Sequence, residues 1–256
     1  MRGVAGAISL AKKEMKGTWL SYFLNGLLVL FLSLFAAVSV SGFFELEGYG
    51  AVEQRIEEYY NAFFTDYLFL MVCAFLGVNV VSRDCMAPLV RDGWRGTFSL
   101  WRLPVLRRLP LSAGSMVGSR LIFMLVALAF NATLFFVVVY SFSDLGDLGR
   151  SYLWFAGIWL GYSLLAAGLY LASELTLTRS GKAHVLLSSF VFAASLMVFV
   201  ALLEWALEPT LVERTAQLAE SHGALAAISS ILAGGANLVL LSRLTARRIQ
   251  KRGLSV

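Results

Sequence analysis

The chain has 256 residues, of which 59% are hydrophobic and only 14% charged. Soluble domains run near ~45–50% apolar and ~25% charged, and a globule of this size with so few charges has no means of covering its own surface. The composition excludes a soluble enzyme, a disordered chain and a disulfide scaffold, and it describes an all-α integral membrane protein. The net charge of +5 follows from where the basic residues sit relative to a membrane, so no nucleic-acid partner is implied. Two cysteines, Cys73 and Cys85, and two histidines, His184 and His222, show neither C-x-x-C nor zinc-ligand spacing. No metal site is expected.

Residues 1–18 precede the first long apolar run. Val4, Ile8, Ala11, Met15 and Trp19 recur at helical spacing, with Lys12, Lys13 and Lys16 off that stripe. This predicts an amphipathic helix in the cytoplasmic interface, or more simply a basic anchor that fixes topology. The run that follows, from Trp19 past Val40, is far longer than the ~7–15 residues of a signal-peptide core, and it reads as a retained first span.

A bilayer core about 30 Å thick needs roughly 20 apolar residues in a helix. Six such segments occur, near Trp19–Phe43, Asp66–Ser82, Leu121–Phe142, Tyr152–Ser173, His184–Leu203 and Ala224–Ser242. None has a charge well inside it, where one Asp or Lys costs about +2.5 to +3.5 kcal/mol. All the Lys and Arg except Arg55, Arg150 and Arg214 fall on one side of these spans, together with Glu14, Asp84, Asp92 and Glu174. The positive-inside rule makes that side cytoplasmic, with both termini inside a cell membrane, plasma or inner. The expected organisation is a single transmembrane domain over residues 1–256: an interfacial helix at 1–18, a six-helix bundle at 19–242 and a basic cytoplasmic tail at 243–256.

The segment from Arg83 to Arg120 is the longest on the basic side. Trp94, Phe98 and Trp101 fall at i, i+4 and i+7, flanked by Arg91, Arg95 and Arg102, while Pro104 and Pro110 limit the helix. A short amphipathic helix over about 89–103 is predicted, parallel to the membrane. After Pro110, Ser112 is placed to cap a helix that continues through Arg120 into span three. Composition alone favours Trp94 and Trp101 in lipid headgroups; aromatic and Arg side chains also suit a docking surface for a cytosolic protein.

The order of these parts resembles the ABC-2 type transporter permeases, the membrane subunits of many ATP-binding-cassette exporters. Arg107-Arg108-Leu109-Pro110-Leu111-Ser112, followed by Ser119-Arg120, is similar to the family's run entering span three, and Leu10-Ala11-Lys12-Lys13-Glu14-Met15-Lys16 resembles its opening. The resemblance implies that 89–103 is a coupling helix, with Arg91, Trp94, Arg95, Phe98, Trp101 and Arg102 against a separate cytosolic ATPase. That partner would hold the ATP and Mg, with no cofactor in this chain, and a second permease copy or a paralogue would complete a dimer. The resemblance also implies an outward or re-entrant helix pair in the stretch from Trp205 to His222.

Two absences agree with that implication. No mid-span acid, base or histidine is present for an ion-coupled carrier. No G-x-x-x-x-G-K-[ST] phosphate loop and no G-x-S-x-G elbow occur, so neither ATPase nor hydrolase activity is expected of the chain itself. A non-transporting membrane scaffold or regulatory partner is the alternative.

Polar residues remain inside the spans: Asn25, Asn131 and Asn237, with Asn79 near the inner end of span two. Each must find a hydrogen-bond partner in dry surroundings. They either join helices, at a typical ~0.6 kcal/mol per bond, or line a translocation path. Gly157 and Gly161 form G-x-x-x-G in span four, and Gly234 and Gly235 adjoin in span six; these predict close helix packing, within one chain or between two.

Overall fold

The computed structural model describes residues 8–9, 19–41, 51–77, 112–176, 197–198, 200–202 and 210–253. These residues are all-helical. The main elements are α1 (Trp19–Val40), α2 (Ala51–Phe75), α3 (Ala113–Phe142), a 3-10 turn at Asp144–Leu148, α4 (Ser151–Thr176) and α5 (Leu211–Gly253). Four of these helices are long and apolar enough to cross a membrane: α1, α3, α4 and α5. The apolar part of α2, Tyr60–Phe75, is shorter. Of the predicted fifth span only residues 197–198 and 200–202 are described; they are helical, and Val200 is buried in the core.

The helix ends show why these segments start and stop where they do. Ser112 caps α3, its hydroxyl accepting from the Ser115 amide at 3.1 Å. At the far end the Ser143 amide donates to Val139 O at 3.1 Å. The short link to α4 inserts Leu145 into the core and passes through Gly149 at φ 53, a left-handed turn that favours glycine. A link this short makes α3 and α4 antiparallel neighbours.

Tyr140 and Arg120 on α3, Trp154 and Glu174 on α4, and Gly223 and Arg243 on α5 are each twenty positions apart. That is about 30 Å of helix, the thickness of a hydrocarbon core. The two ends are in register across the bundle. The Tyr140 and Tyr152 rings lie 5.0 Å apart, and a Cβ on Gly223 would meet Trp154 at 2.7 Å. One end of the bundle is therefore aromatic and the other basic, with Arg120 and Arg243 at matching heights.

α5 spans 43 residues, about 64 Å of helix, which is twice a bilayer core. His222, at φ −137 and ψ 28, breaks it in two. Residues 211–221 belong to the aromatic end, and residues 223–253 run across the membrane parallel to α4. The predicted basic tail is thus helical as far as Gly253.

Lipid tails are as apolar as leucine, so these helices gain little from hydrophobic burial and associate through close packing and hydrogen bonds. Phe69 of α2 is the centre of an aromatic core, with the rings of Phe135 at 5.4 Å, Phe155 at 6.1 Å and Trp159 at 5.3 Å. α1 turns Asn25, Val29, Ser33, Ala36 and Ala37 inward and Phe23, Leu27, Phe31, Leu34 and Phe35 outward. The most extensive contact among the described helices is α4 on α5. Small residues line it: a Cβ on Gly157 would meet Ala227 Cβ at 2.9 Å, one on Gly161 would collide with the Ser230 backbone, and one on Gly234 with Gly161 O. At Gly235 nothing described lies within 4 Å.

These neighbours set opposite expectations for two glycines. Gly161→Ala should lower the unfolding free energy by about 1–3 kcal/mol, the usual cost of overpacking. Gly235→Ala should leave stability unchanged or raise it by up to about 1 kcal/mol. Thermal unfolding of both variants in one detergent measures the difference, and equal losses would contradict the seam.

Candidate functional site

The polar chemistry of the bundle collects where α2 ends. The helix stops at Phe75, with Leu76–Gly77 in a turn. Helix ends leave carbonyls without intrahelical partners, and inside a bilayer each needs a donor from the protein. Asn131 of α3 supplies one, its Nδ2 donating to Leu76 O at 2.8 Å. Asn25 of α1 in turn donates to Asn131 Oδ1 at 3.2 Å. Both asparagines are buried, at 2% and 1% exposure. Asn131 lies eleven positions from Arg120 and nine from Tyr140, about 16 Å and 14 Å along the helix. The relay therefore sits near mid-bilayer and joins three helices.

Gly77 continues the same junction. A Cβ there would meet Ala167 Cβ of α4 at 3.0 Å, so glycine lets the end of α2 lie against α4. Tyr162 of α4 donates to Leu70 O at 3.3 Å. Ser163 lies fully buried on α4, and Cys73 is a free cysteine buried on the facing part of α2.

A second polar junction lies at the aromatic end. Asp66, 1% exposed, accepts from the amides of Leu211 and Val212, the latter at 2.9 Å. An anionic side chain on the first turn of α5 meets both the orphan N–H groups and the positive end of the helix dipole. Thr210 and Glu213 close a reciprocal capping box on the same turn, with both bonds at 3.1 Å. Trp159 Nε1 donates to Thr215 Oγ1 at 3.1 Å, and Thr65 donates to Ser39 O at the end of α1 at 3.1 Å. The kinked segment 211–221 is thereby fastened to α2 and α4.

Of the residues singled out from the sequence, Asn25 and Asn131 come together, whereas Asn237 stands apart and donates to Leu165 O at 3.1 Å. Gly157, Gly161 and Gly234 meet in the α4–α5 seam, and Gly235 does not. Asn79 and the predicted coupling-helix residues Arg91, Trp94, Arg95, Phe98, Trp101 and Arg102 lie outside the described residues, as do residues 10–18 of the predicted interfacial helix. Asp66 carries more of the architecture than its place at the edge of an apolar run suggests. The T-x-x-E pattern at Thr210–Glu213 was a readable signal for the helix start that it caps. Among the described residues no group of three metal-ligating side chains occurs.

No family model matches this chain, and no curated protein or solved structure matches it either. The fold and these junctions are what bear on function.

The relay makes an ordered prediction. Asn131→Ala removes the donor to Leu76 O and the acceptor for Asn25, and should cost about 1–3 kcal/mol, as expected when buried polar groups lose their partner. Asn237→Ala should cost about 0.6 kcal/mol. In an Asn131→Ala background, Asn25→Ala should cost less than it does alone. A double-mutant cycle read by unfolding in detergent checks the coupling, and additive losses would contradict the relay.

Proposed function

We propose that the chain is the permease subunit of an ABC-2 type exporter. In this reading it has six spans, counting the segment at Asp66–Ser82, of which α2 covers the part as far as Phe75, and the segment at His184–Leu203, with both termini cytoplasmic in a plasma or inner membrane. It pairs with a second permease copy or a paralogue, and a separate cytosolic ATPase binds and hydrolyses the ATP. The chain itself is not an enzyme.

The observation that carries this reading is the kinked α5. The resemblance implies an outer helix pair before the last span, and a short helical segment, broken at His222, occupies that stretch and is fastened to α2 by Asp66. A second support is the start of α3. Leu109-Pro110-Leu111-Ser112 leads to a serine that caps the helix, with Arg120 one hydrocarbon thickness from Tyr140.

The same geometry offers a route for force. In this reading force enters the bundle at the capped start of α3, the first described helix after residues 89–103 in the chain. That helix carries Asn131, which holds the end of α2 and, through Asn25, α1. A displacement of α3 therefore alters the junction at mid-bilayer, where a pathway between the spans would open and close. Interfaces and packed cores convert small shifts into switches between discrete arrangements.

The test is on the coupling surface. Truncating a buried aromatic anchor commonly costs ~2 kcal/mol or more of binding. Phe98→Ala combined with Trp101→Ala should release the co-expressed ATPase from the purified complex while membrane insertion stays intact. Stoichiometric ATPase retained by the double variant would contradict the reading.

A further inference from the structure

The last turns of α5 carry a surface that the exporter reading does not use. Arg243, Arg247, Arg248 and Lys251 are all exposed, and among the described side chains none of them forms an ion pair. Helix α5 is held here by its opposite face. Leu238 and Ile249 are buried at 5% and 6% exposure, packed with Ala113, Met116 and Val117 at the start of α3 and Leu171 near the end of α4, and Thr245 on the same face is 1% exposed. At 100° per residue, Leu240 and Arg247 lie within about 20° of the point opposite Leu238, Arg243 and Lys251 within about 40°, and Arg248 flanks them. The cationic row is therefore oriented by packing and points away from the bundle.

What it points at follows from the same face further up the helix. Leu232, Val239, Leu240 and Leu244 are exposed, Leu232 and Leu240 at 66% and 57%. One continuous face presents leucines through the membrane and then Arg243, Arg247 and Lys251. Gly223, at the aromatic end, to Arg243 is about 30 Å of helix, the thickness of a hydrocarbon core. Arg247, Arg248 and Lys251 follow about 6, 8 and 12 Å further on, at and just beyond a headgroup layer of roughly 5–8 Å. On the described helices this end carries one acid position, Glu174 on α4, so the excess charge is positive.

We propose that this face is a binding site for an anionic phospholipid, with acyl chains along Leu240 and Leu244 and the headgroup phosphate among Arg243, Arg247, Arg248 and Lys251. Guanidinium groups suit phosphate because their paired N–H donors match its oxygens. A lysine or arginine near an anionic membrane surface contributes about 1 kcal/mol, roughly fivefold in binding per residue. The site holds whether or not the chain transports anything, because it depends only on α5 crossing a bilayer.

The test places the full chain in nanodiscs of phosphatidylcholine mixed with phosphatidylglycerol and counts the phosphatidylglycerol retained by native mass spectrometry. Wild type should retain it in preference to phosphatidylcholine, less so as salt is raised. R247Q/R248Q/K251Q should lower that preference by roughly a hundredfold, while R247K/R248K keeps it. Helicity and melting in phosphatidylcholine alone should be the same for all three, because the altered side chains are exposed. If the triple variant fails to insert, Arg247→Gln alone, expected to lose about fivefold, decides the matter. Equal retention by wild type and the charge-removed variant would overturn the proposal and leave the row to an acidic protein surface.

Discussion

The absence of water inside a bilayer is the constraint on which this structure depends. A soluble protein that ends a helix early leaves its last carbonyls to solvent; a membrane protein must supply donors from its own side chains. α2 ends at Phe75, and the Leu76 carbonyl is met by Asn131, itself met by Asn25. Three helices are thus tied to one another by a need that belongs to one of them. The bond is modest as a contribution to stability, and it fixes arrangement as well, since a shift of α1, α2 or α3 along its axis separates these partners.

The rest of the bundle divides the work by chemistry. α4 and α5 meet through Gly157, Gly161, Ala227 and Gly234, where the backbones approach closely enough for dispersion contacts to replace the hydrophobic driving force that lipid removes. α2 and α3 instead meet through large rings around Phe69. At the aromatic end Asp66 does for the first turn of α5 what Asn131 does for the last turn of α2: it satisfies orphan backbone groups on a different helix. A helix N-terminus takes an anion and a helix C-terminus takes a neutral donor, in keeping with the partial charges at the two ends. Segment 211–221 and the Asn131 junction are both attached to α2, which makes that helix the link between them.

Much of this was legible from hydropathy and spacing. The apolar runs at Trp19–Phe43, Leu121–Phe142 and Tyr152–Ser173 match α1, α3 and α4 to within a few residues, apart from the early start of α3 that Ser112 sets by capping it. The G-x-x-x-G pair pointed to close packing, within one chain or between two, and the asparagines either to interhelical bonds or to a translocation path. Other features were not legible, for physical reasons. α2 begins at Ala51, well before its apolar run, because the helix continues past the hydrocarbon where hydropathy carries no signal. The break at His222 lies between Ser221 and Gly223, poor helix formers that mark a weak point without fixing whether the chain bends there. Gly234 and Gly235 are neighbours of identical type, and only the direction each faces distinguishes a packed glycine from an open one. Which asparagines pair is likewise a matter of tertiary register: Asn25 and Asn131 are 106 positions apart in sequence.

The exporter reading rests on this account of where the helices lie in the membrane, and its most specific element is that α2 ends inside the hydrocarbon. Phe75 is the last helical residue of α2 and is partly exposed to lipid. A nitroxide attached at Phe75→Cys, in a chain with Cys73 and Cys85 replaced by serine, reports its depth through collisions with oxygen and with a water-soluble nickel complex. The account predicts strong collision with oxygen and almost none with nickel, at a depth near that of a label on α3 beside Asn131. Strong collision with nickel would contradict it, placing the end of α2 in water and leaving the Asn25–Asn131 relay without its purpose.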